Sequence, residues 1–230
     1  FLKHPAWLWL KKFEPNKLPP IDANTQALFD MGFRFEALAE QLFSDGQRIT
    51  GDYFEKDRVT ARLLATGAQT LFQAKFTAPD NTACLTDVMV RVGGDEFDIY
   101  EIKVSTKAKP DHTWDLAFQK RTIEACGYRV RKTAVVHVNG QYVRNGDIDV
   151  MALTSITDVT DDVNNTMPAM DAKVQEAFDV ILSPDCPSLS PRLASYGGYF
   201  DWMPIYKKLK GEVPTDSILN LARLNPKLIE

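Results

Sequence analysis

The order of apolar patterns between residues 69 and 138 constrains the fold of this chain most strongly. Three successive runs have the apolar, β-branched character of strands: QTLFQAKF (69–76), ACLTDVMVRV (83–92) and EFDIYEIKV (96–104). A helical stretch at 112–128 and a further strand-like run at 129–138 follow. A meander of strands, then a helix, then another strand predicts an α/β fold with a mixed central sheet flanked by helices.

Apolar periodicity and Pro or Gly breaks predict the remaining elements. Between 22 and 43, Leu28, Met31, Phe35, Leu38 and Leu42 recur at a helical spacing. We expect further helices over 4–13, over 55–65, over 162–182 with an interruption near Pro168, and from Thr215 onward, with one or two short strands within 142–160 and irregular structure over 183–204.

Cysteine usage and hydropathy limit the compartment. The chain has 3 cysteines, Cys84, Cys126 and Cys186, with no CxxC pair, so neither a disulfide framework nor a zinc ribbon is encoded. No apolar run approaches the roughly 20 residues of a membrane span. We therefore expect a cytoplasmic protein that does not bind a membrane. The start at Phe1 instead of Met suggests a trimmed or excised chain.

The charge distribution is uneven. The formal net charge is −4, which argues against attachment to nucleic acid by bulk charge alone. Residues 103–132 nevertheless carry eight basic side chains against three acidic ones, a local balance of +5. Such a segment is either a solvated face or a surface that holds phosphates. The basic residues are Lys103, Lys107, Lys109, Lys120, Arg121, Arg129, Arg131 and Lys132.

Two charged residues lie inside the apolar run at 96–104. Side chains alternate along a strand, so Glu101 and Lys103 share one face, about 6.6 Å apart along the strand. If the preceding residues 93–95 form a three-residue turn, Val92 pairs with Glu96 and the same register places Asp87 opposite Glu101. A two-residue turn would instead put Asp87 on the other face.

Two opposed carboxylates repel each other unless a cation lies between them. Oxygen ligands suit a hard divalent ion such as Mg²⁺ or Mn²⁺, so the pair Asp87 and Glu101 indicates a metal site. Lys103 could orient or deprotonate a metal-bound water, or stabilise developing negative charge. The alternative is a solvated face on which Glu101 and Lys103 form a weak surface pair.

These motifs together resemble the PD-(D/E)xK nuclease superfamily. An acid on one strand, a short hairpin and then YEIKVST, with its acid-x-Lys core, match the superfamily pattern. The helix DLAFQKRTIEACGYRV is similar to that of the RecB-like branch, with Gln119 in the glutamine position, and VVHVNGQYVRNGDIDV resembles a bacterial group within it. Upstream, residues 32–36 (GFRFE) match the spacing of the first-helix motif. The resemblance covers residues 1–160.

The resemblance implies a restriction-endonuclease-like core over 1–160, with a C-terminal helical or irregular extension, 161–230, packed on it. In the residue roles that it implies, Asp87 and Glu101 bind Mg²⁺ or Mn²⁺ with help from the Ile102 carbonyl, and Lys103 serves the attacking water. Glu36 completes the metal site, with Glu40 as the substitute candidate. Gln119 positions substrate or a ligand.

The chain departs from the resemblance in several places, and the residues around Cys84 replace the glycine that usually precedes the metal-binding aspartate. Ile123 stands where a tyrosine often follows the glutamine, which weakens the assignment of Gln119. His4 stands where many relatives carry the first cysteine of an iron–sulfur cluster, and only Cys186 remains late in the chain. We therefore expect no iron–sulfur cluster.

The function implied is a metal-dependent deoxyribonuclease acting on single- or double-stranded DNA, with a helicase or another domain working in trans. The chain has no GxxxxGK[ST] motif and so encodes no motor of its own. One alternative is a catalytically inactive nuclease-fold module that binds nucleic acid or a protein. Another is an unrelated metal hydrolase that acts on a small phosphoester.

Overall fold

A computed structural model describes residues 1–220 of the chain. They form two compact units, one of residues 23–170 and the other of residues 1–22 together with 171–220. The predicted division at residue 160 had placed residues 1–22 with the sheet. In the structure their apolar side chains pack within the second unit instead.

The first unit contains a six-stranded mixed sheet. Its strands lie in chain order: β1 (Gln47–Arg48), β2 (Thr70–Thr77), β3 (Ala83–Gly93), β4 (Glu96–Lys103), β5 (Arg129–Val138) and β6 (Thr154–Asp158). The pairs β1–β2 and β4–β5 are parallel, whereas β2–β3, β3–β4 and β5–β6 are antiparallel. The predicted mixed α/β architecture is therefore confirmed.

Helices flank this sheet. They are α2 (Ala23–Ala39), α3 (Lys56–Ala65), α4 (Pro110–Ala125), the short α5 (Val150–Leu153) and the start of α6 (Thr160–Leu182). Phe35 and Ala39 of α2 pack on Val88 and Ile102, while α4 contacts Glu101. Because Glu101 and Ile102 are adjacent on a strand, their side chains point to opposite faces, so α2 and α4 cover opposite faces of the sheet.

Only part of the predicted α2 stripe is buried. Phe35 is in the core, but the side chains of Leu28 and Met31 are 60% and 46% exposed. The N-terminal half of α2 therefore presents apolar surface to solvent. The helix predicted from this spacing is confirmed over 23–39, although Leu28 and Met31 do not contribute to the core.

The hairpin between β3 and β4 has a different turn from the predicted one. Gly93 pairs with Glu96, which leaves a two-residue turn with Gly94 at φ +53°. A bulge between Arg91 and Gly93 adds one residue to β3, so Arg91 pairs with Phe97 and the original register is restored. The predicted Val92–Glu96 pair is thus wrong, yet the register beyond the turn is the predicted one.

The second unit contains α1 (Pro5–Phe13), the end of α6 and α7 (Gly198–Lys210). Its core combines Ala6 and Leu10 with Trp202 and Ile205, and the His4 ring stacks on Trp202 with centroids 3.7 Å apart. Helix α7 lies partly in the segment predicted to be irregular, because the Pro, Gly and Ser residues there obscured its apolar spacing.

Two further predictions concern helices. Helix α6 continues through Pro168, so the expected interruption is wrong; proline removes one backbone donor, and the 23-residue helix retains its other bonds. Of the helix predicted from Thr215 onward, residues 218–220 form a single 3₁₀ turn, and residues 221–230 lie outside the described residues.

Candidate functional site

The ladder between β3 and β4 ends just before Asp87 and Glu101. Its last pair is Val88 with Tyr100, and one further step of this register would place Asp87 opposite Glu101. At this step the Asp87 side chain replaces the backbone ladder, because its Oδ2 accepts the N–H of Ile102 at 2.8 Å. The carboxylate therefore lies between the two strands, close to Glu101.

Glu101 is held from both sides. Glu101 is only 7% exposed, and its Oε1 lies 2.7 Å from Nζ of Lys103. Gln119 of α4 donates its Nε2–H to Oε2 at 2.6 Å. Lys103 also reaches Asp115 of α4 at 3.3 Å. A buried carboxylate between a lysine and an amide is a fixed arrangement, not the weak surface pair considered as the alternative.

Gln73 is a site residue that the sequence reasoning missed. Its Nε2 donates to Oε1 of Glu36 at 2.9 Å and to Oδ1 of Asp87 at 3.0 Å, so one nitrogen joins two carboxylates. Gln73 faces Asp87 in the β2–β3 register but lies in the left-handed region, with φ +58°. Its signal in the sequence was a polar residue in the middle of the apolar run QTLFQAKF.

The two glutamates of α2 differ in their surroundings. Glu36 reaches Asp87 through Gln73, which brings it to the predicted site. Glu40, one turn later, pairs with Arg48 of β1, and Arg48 also contacts Glu36 at 3.3 Å. The structure therefore brings Glu36 to the site and links Glu40 to it only through Arg48.

Ile102 contributes to this region in two ways. Its side chain packs in the core beside Val88, and its N–H holds Asp87. In the parallel ladder Ile102 is the partner of Val136 in β5. The role predicted for its carbonyl as a metal ligand stays a prediction.

The electrostatics of the site are those of crowded buried acids. Burial, and then the charge of Glu101, raise the pKa of Asp87 to about 8; Glu36 adds to this, while the N–H of Ile102 and the charge of Lys103 oppose it. Burial alone would lower the pKa of Lys103, but Glu101 and then Asp115 outweigh it and hold that pKa above its usual value. Lys103 is therefore a cation at neutral pH.

The donor atoms of this region are of the kind that a hard divalent cation prefers. The charges of Glu101 and Glu36 both act on the buried Asp87, and Oε1 of the buried Gln119 has no hydrogen-bond partner within the described residues. Oxygen donors of this kind suit Mg²⁺ or Mn²⁺. Within residues 1–220, however, no three acidic, histidine or cysteine side chains are already arranged as a metal-binding group. The amide of Gln73 stands between two of the acids, so the side chains would rearrange on binding.

The basic segment 103–132 is mostly neutralised. Six of its eight basic side chains form ion pairs with acids. Arg131, for example, binds the buried Asp98 with two nitrogens. Among residues 1–220, Lys107 and Lys109 contact no acid, and both are exposed in the loop that follows β4. Lys107 and Lys109 are therefore the two basic side chains of this segment without an acidic partner among the described residues, and a phosphate-holding role for the segment stays a prediction.

The remaining candidates lie elsewhere. His137 is buried in β5, where its Nε2 lies 2.8 Å from Oγ1 of Thr157. Cys84 is buried and Cys186 is exposed. No helix within residues 1–220 is long and apolar enough to cross a membrane.

Comparisons of the chain with protein-family models, with curated proteins and with solved structures gave no match.

Proposed function

We propose that this chain is a Mg²⁺- or Mn²⁺-dependent nuclease of the restriction-endonuclease-like, RecB-like type that hydrolyses DNA phosphodiester bonds. The observation that supports the proposal is the position of the buried Asp87 carboxylate, which accepts the N–H of Ile102 and lies within the field of the buried Glu101, beside the charged Lys103. Burying two acids beside each other, as with Asp87 and Glu101, destabilises the fold. Such an arrangement is typical of sites where the acids bind a cation.

Each side chain has a role that follows from its contacts. Asp87 and Glu101 would hold the ion, and Glu36 would complete or extend the set once released from Gln73. Gln119 fixes one oxygen of Glu101 and keeps its own Oε1 free for a ligand. The bound ion would supply Lewis acidity and a water of lowered pKa.

Lys103 serves this chemistry as a charge. Because its pKa is raised, the ammonium does not act as a general base at neutral pH. It can orient the attacking water and stabilise the negative charge that develops on the phosphate. Lys107 and Lys109, exposed in the loop after β4, are placed to hold neighbouring phosphates of the substrate.

The alternative function is an inactive nuclease-fold module that binds nucleic acid or a protein partner. One observation favours it: Glu36, Asp87 and Glu101 each already have a hydrogen-bonding or charged partner without any ion. Such a module would bind DNA through its exposed lysines and leave it intact.

Incubation of the full chain with linear, circular and single-stranded DNA, with and without Mn²⁺, separates the two functions. The proposal predicts Mn²⁺-dependent degradation that is lost in Lys103→Ala and kept in Lys11→Ala, which removes an exposed lysine of α1. Binding without cleavage supports the inactive module. Cleavage of small phosphodiester analogues with polymers left intact supports a small-molecule hydrolase.

A further inference from the structure

The side-chain amide of Gln73 lies where two acids of the site meet. Its Nε2 donates one hydrogen to Glu36 and one to Asp87, at 2.9 and 3.0 Å. Both hydrogens are thus directed at carboxylate oxygens that a cation would also need. A nitrogen that donates both hydrogens offers no lone pair to a metal.

The backbone of Gln73 is adapted to this position. The residue has φ +58° inside a strand, a conformation that is uncommon and costly for residues other than glycine. The ladder continues on either side, where Phe72 pairs with Val88 and Ala74 with Thr86. The left-handed residue therefore interrupts a regular pairing at the one position that faces Asp87.

We infer that Gln73 is a built-in competitor for the cation, which holds Glu36 and Asp87 in the metal-free protein and must leave them when a divalent ion binds. This inference rests on the proposed metal site. The amide satisfies two crowded carboxylates and so stabilises the metal-free state. The free energy needed to break these two hydrogen bonds reduces the affinity of the site for the ion.

Calorimetric titration of Mn²⁺ into the metal-stripped full chain tests this role. Losing one or two hydrogen bonds to charged acceptors corresponds to a change of roughly tenfold in a binding constant. We therefore expect Gln73→Ala to bind Mn²⁺ about tenfold more tightly than the wild type. The matched control is Gln69→Ala, which removes an exposed glutamine near the start of β2 whose amide donates to the Gly67 carbonyl. The affinity of this variant for Mn²⁺ should equal that of the wild type.

Gln73→Gly keeps the test decisive if the alanine variant folds poorly. Glycine accepts φ +58° without strain and also removes the amide. The competitor role predicts the same tighter binding as in Gln73→Ala. Thermal unfolding in EDTA shows whether each variant is folded before titration.

The outcomes separate this inference from the proposed function. If Mn²⁺ binds the wild type, and the binding is lost in Asp87→Asn, the metal site exists. Weaker or unchanged affinity in the two Gln73 variants then overturns the competitor role alone, because it would make Gln73 a ligand, a support or a bystander. If the wild type shows no Mn²⁺ binding that depends on Asp87, both the site and the competitor are wrong.

Discussion

Replacing Asp87 by asparagine should stabilise the metal-free protein, although it removes a residue of the proposed active site. Burial and the charge of Glu101 raise the pKa of Asp87 from 3.8 to about 8. The folded state binds the Asp87 proton more tightly than the unfolded chain does. Below pH 3.8 Asp87 therefore makes its full contribution to the stability of the fold. The contribution is lost progressively as the pH rises toward 8.

The size of the effect follows from the pKa. One pKa unit corresponds to about 1.4 kcal/mol, so the stability that Asp87 loses between pH 3.8 and pH 7 has a ceiling of about 4 kcal/mol. Asparagine does not ionise, so the variant avoids this loss, and its side-chain oxygen can still accept the N–H of Ile102. The hydrogen bond from the amide of Gln73 is no longer made, which costs about 1 to 3 kcal/mol. We expect a net gain of about 1 to 3 kcal/mol, or several degrees in Tm for a chain of this size.

Thermal unfolding in EDTA at pH 5, 6.5 and 8 measures this gain. The difference between Asp87→Asn and the wild type should grow with pH. Asp80→Asn is the matched control and should change the stability in the opposite direction. Hydrogen bonds from Thr82, and then Arg121, lower the pKa of Asp80 to about 2, so removal of this carboxylate should destabilise the protein at neutral pH. An Asp87→Asn variant that is less stable than the wild type by the same amount at all three pH values would refute the reasoning.

Three other substitutions test separate parts of the structure. Gln119→Ala removes a 2.6 Å hydrogen bond to the buried glutamate of β4 and should lower the rate of Mn²⁺-dependent DNA cleavage by about tenfold or more; an unchanged kcat would show that the amide does not position the site. The double variant Lys107→Ala, Lys109→Ala should reduce the slope of log Kd against log salt by about 2 in DNA-binding anisotropy, and an unaltered slope would exclude these lysines as phosphate contacts. His4→Ala removes a fully buried ring stacked on Trp202 and should cost about 3 kcal/mol in urea unfolding, so an unchanged midpoint would contradict the packing described.

The sequence was sufficient to predict β2 to β5 because each of these strands has a clear apolar pattern and a clear end, whereas β1 consists of two exposed polar residues and was not predicted. The sequence also predicted the register of β3 against β4 that leads toward Asp87 and Glu101, although through the wrong turn. The bulge between Arg91 and Gly93 compensates for the shorter turn, and nothing in the alternation of side chains reveals such a bulge. The register was therefore correct, whereas the Val92–Glu96 pair was not.

The parts that the sequence did not predict depend on contacts between distant segments. Gln73 and Arg48 join the site because β2 lies between β1 and β3 in the sheet, and no local pattern specifies their acidic partners. The acids that pair with the basic segment, such as Asp98 and Asp158, lie beside it in space but outside it in sequence. Local charge counts cannot anticipate such pairing.

Anomalous scattering from a crystal soaked in Mn²⁺ tests the central claim most directly. The account predicts a peak at coordination distance, about 2.1 Å, from carboxylate oxygens of both Asp87 and Glu101, with the Gln73 amide turned away from Asp87. A soaked crystal in which Gln73 still bridges Glu36 and Asp87, with no peak between Asp87 and Glu101, would contradict it.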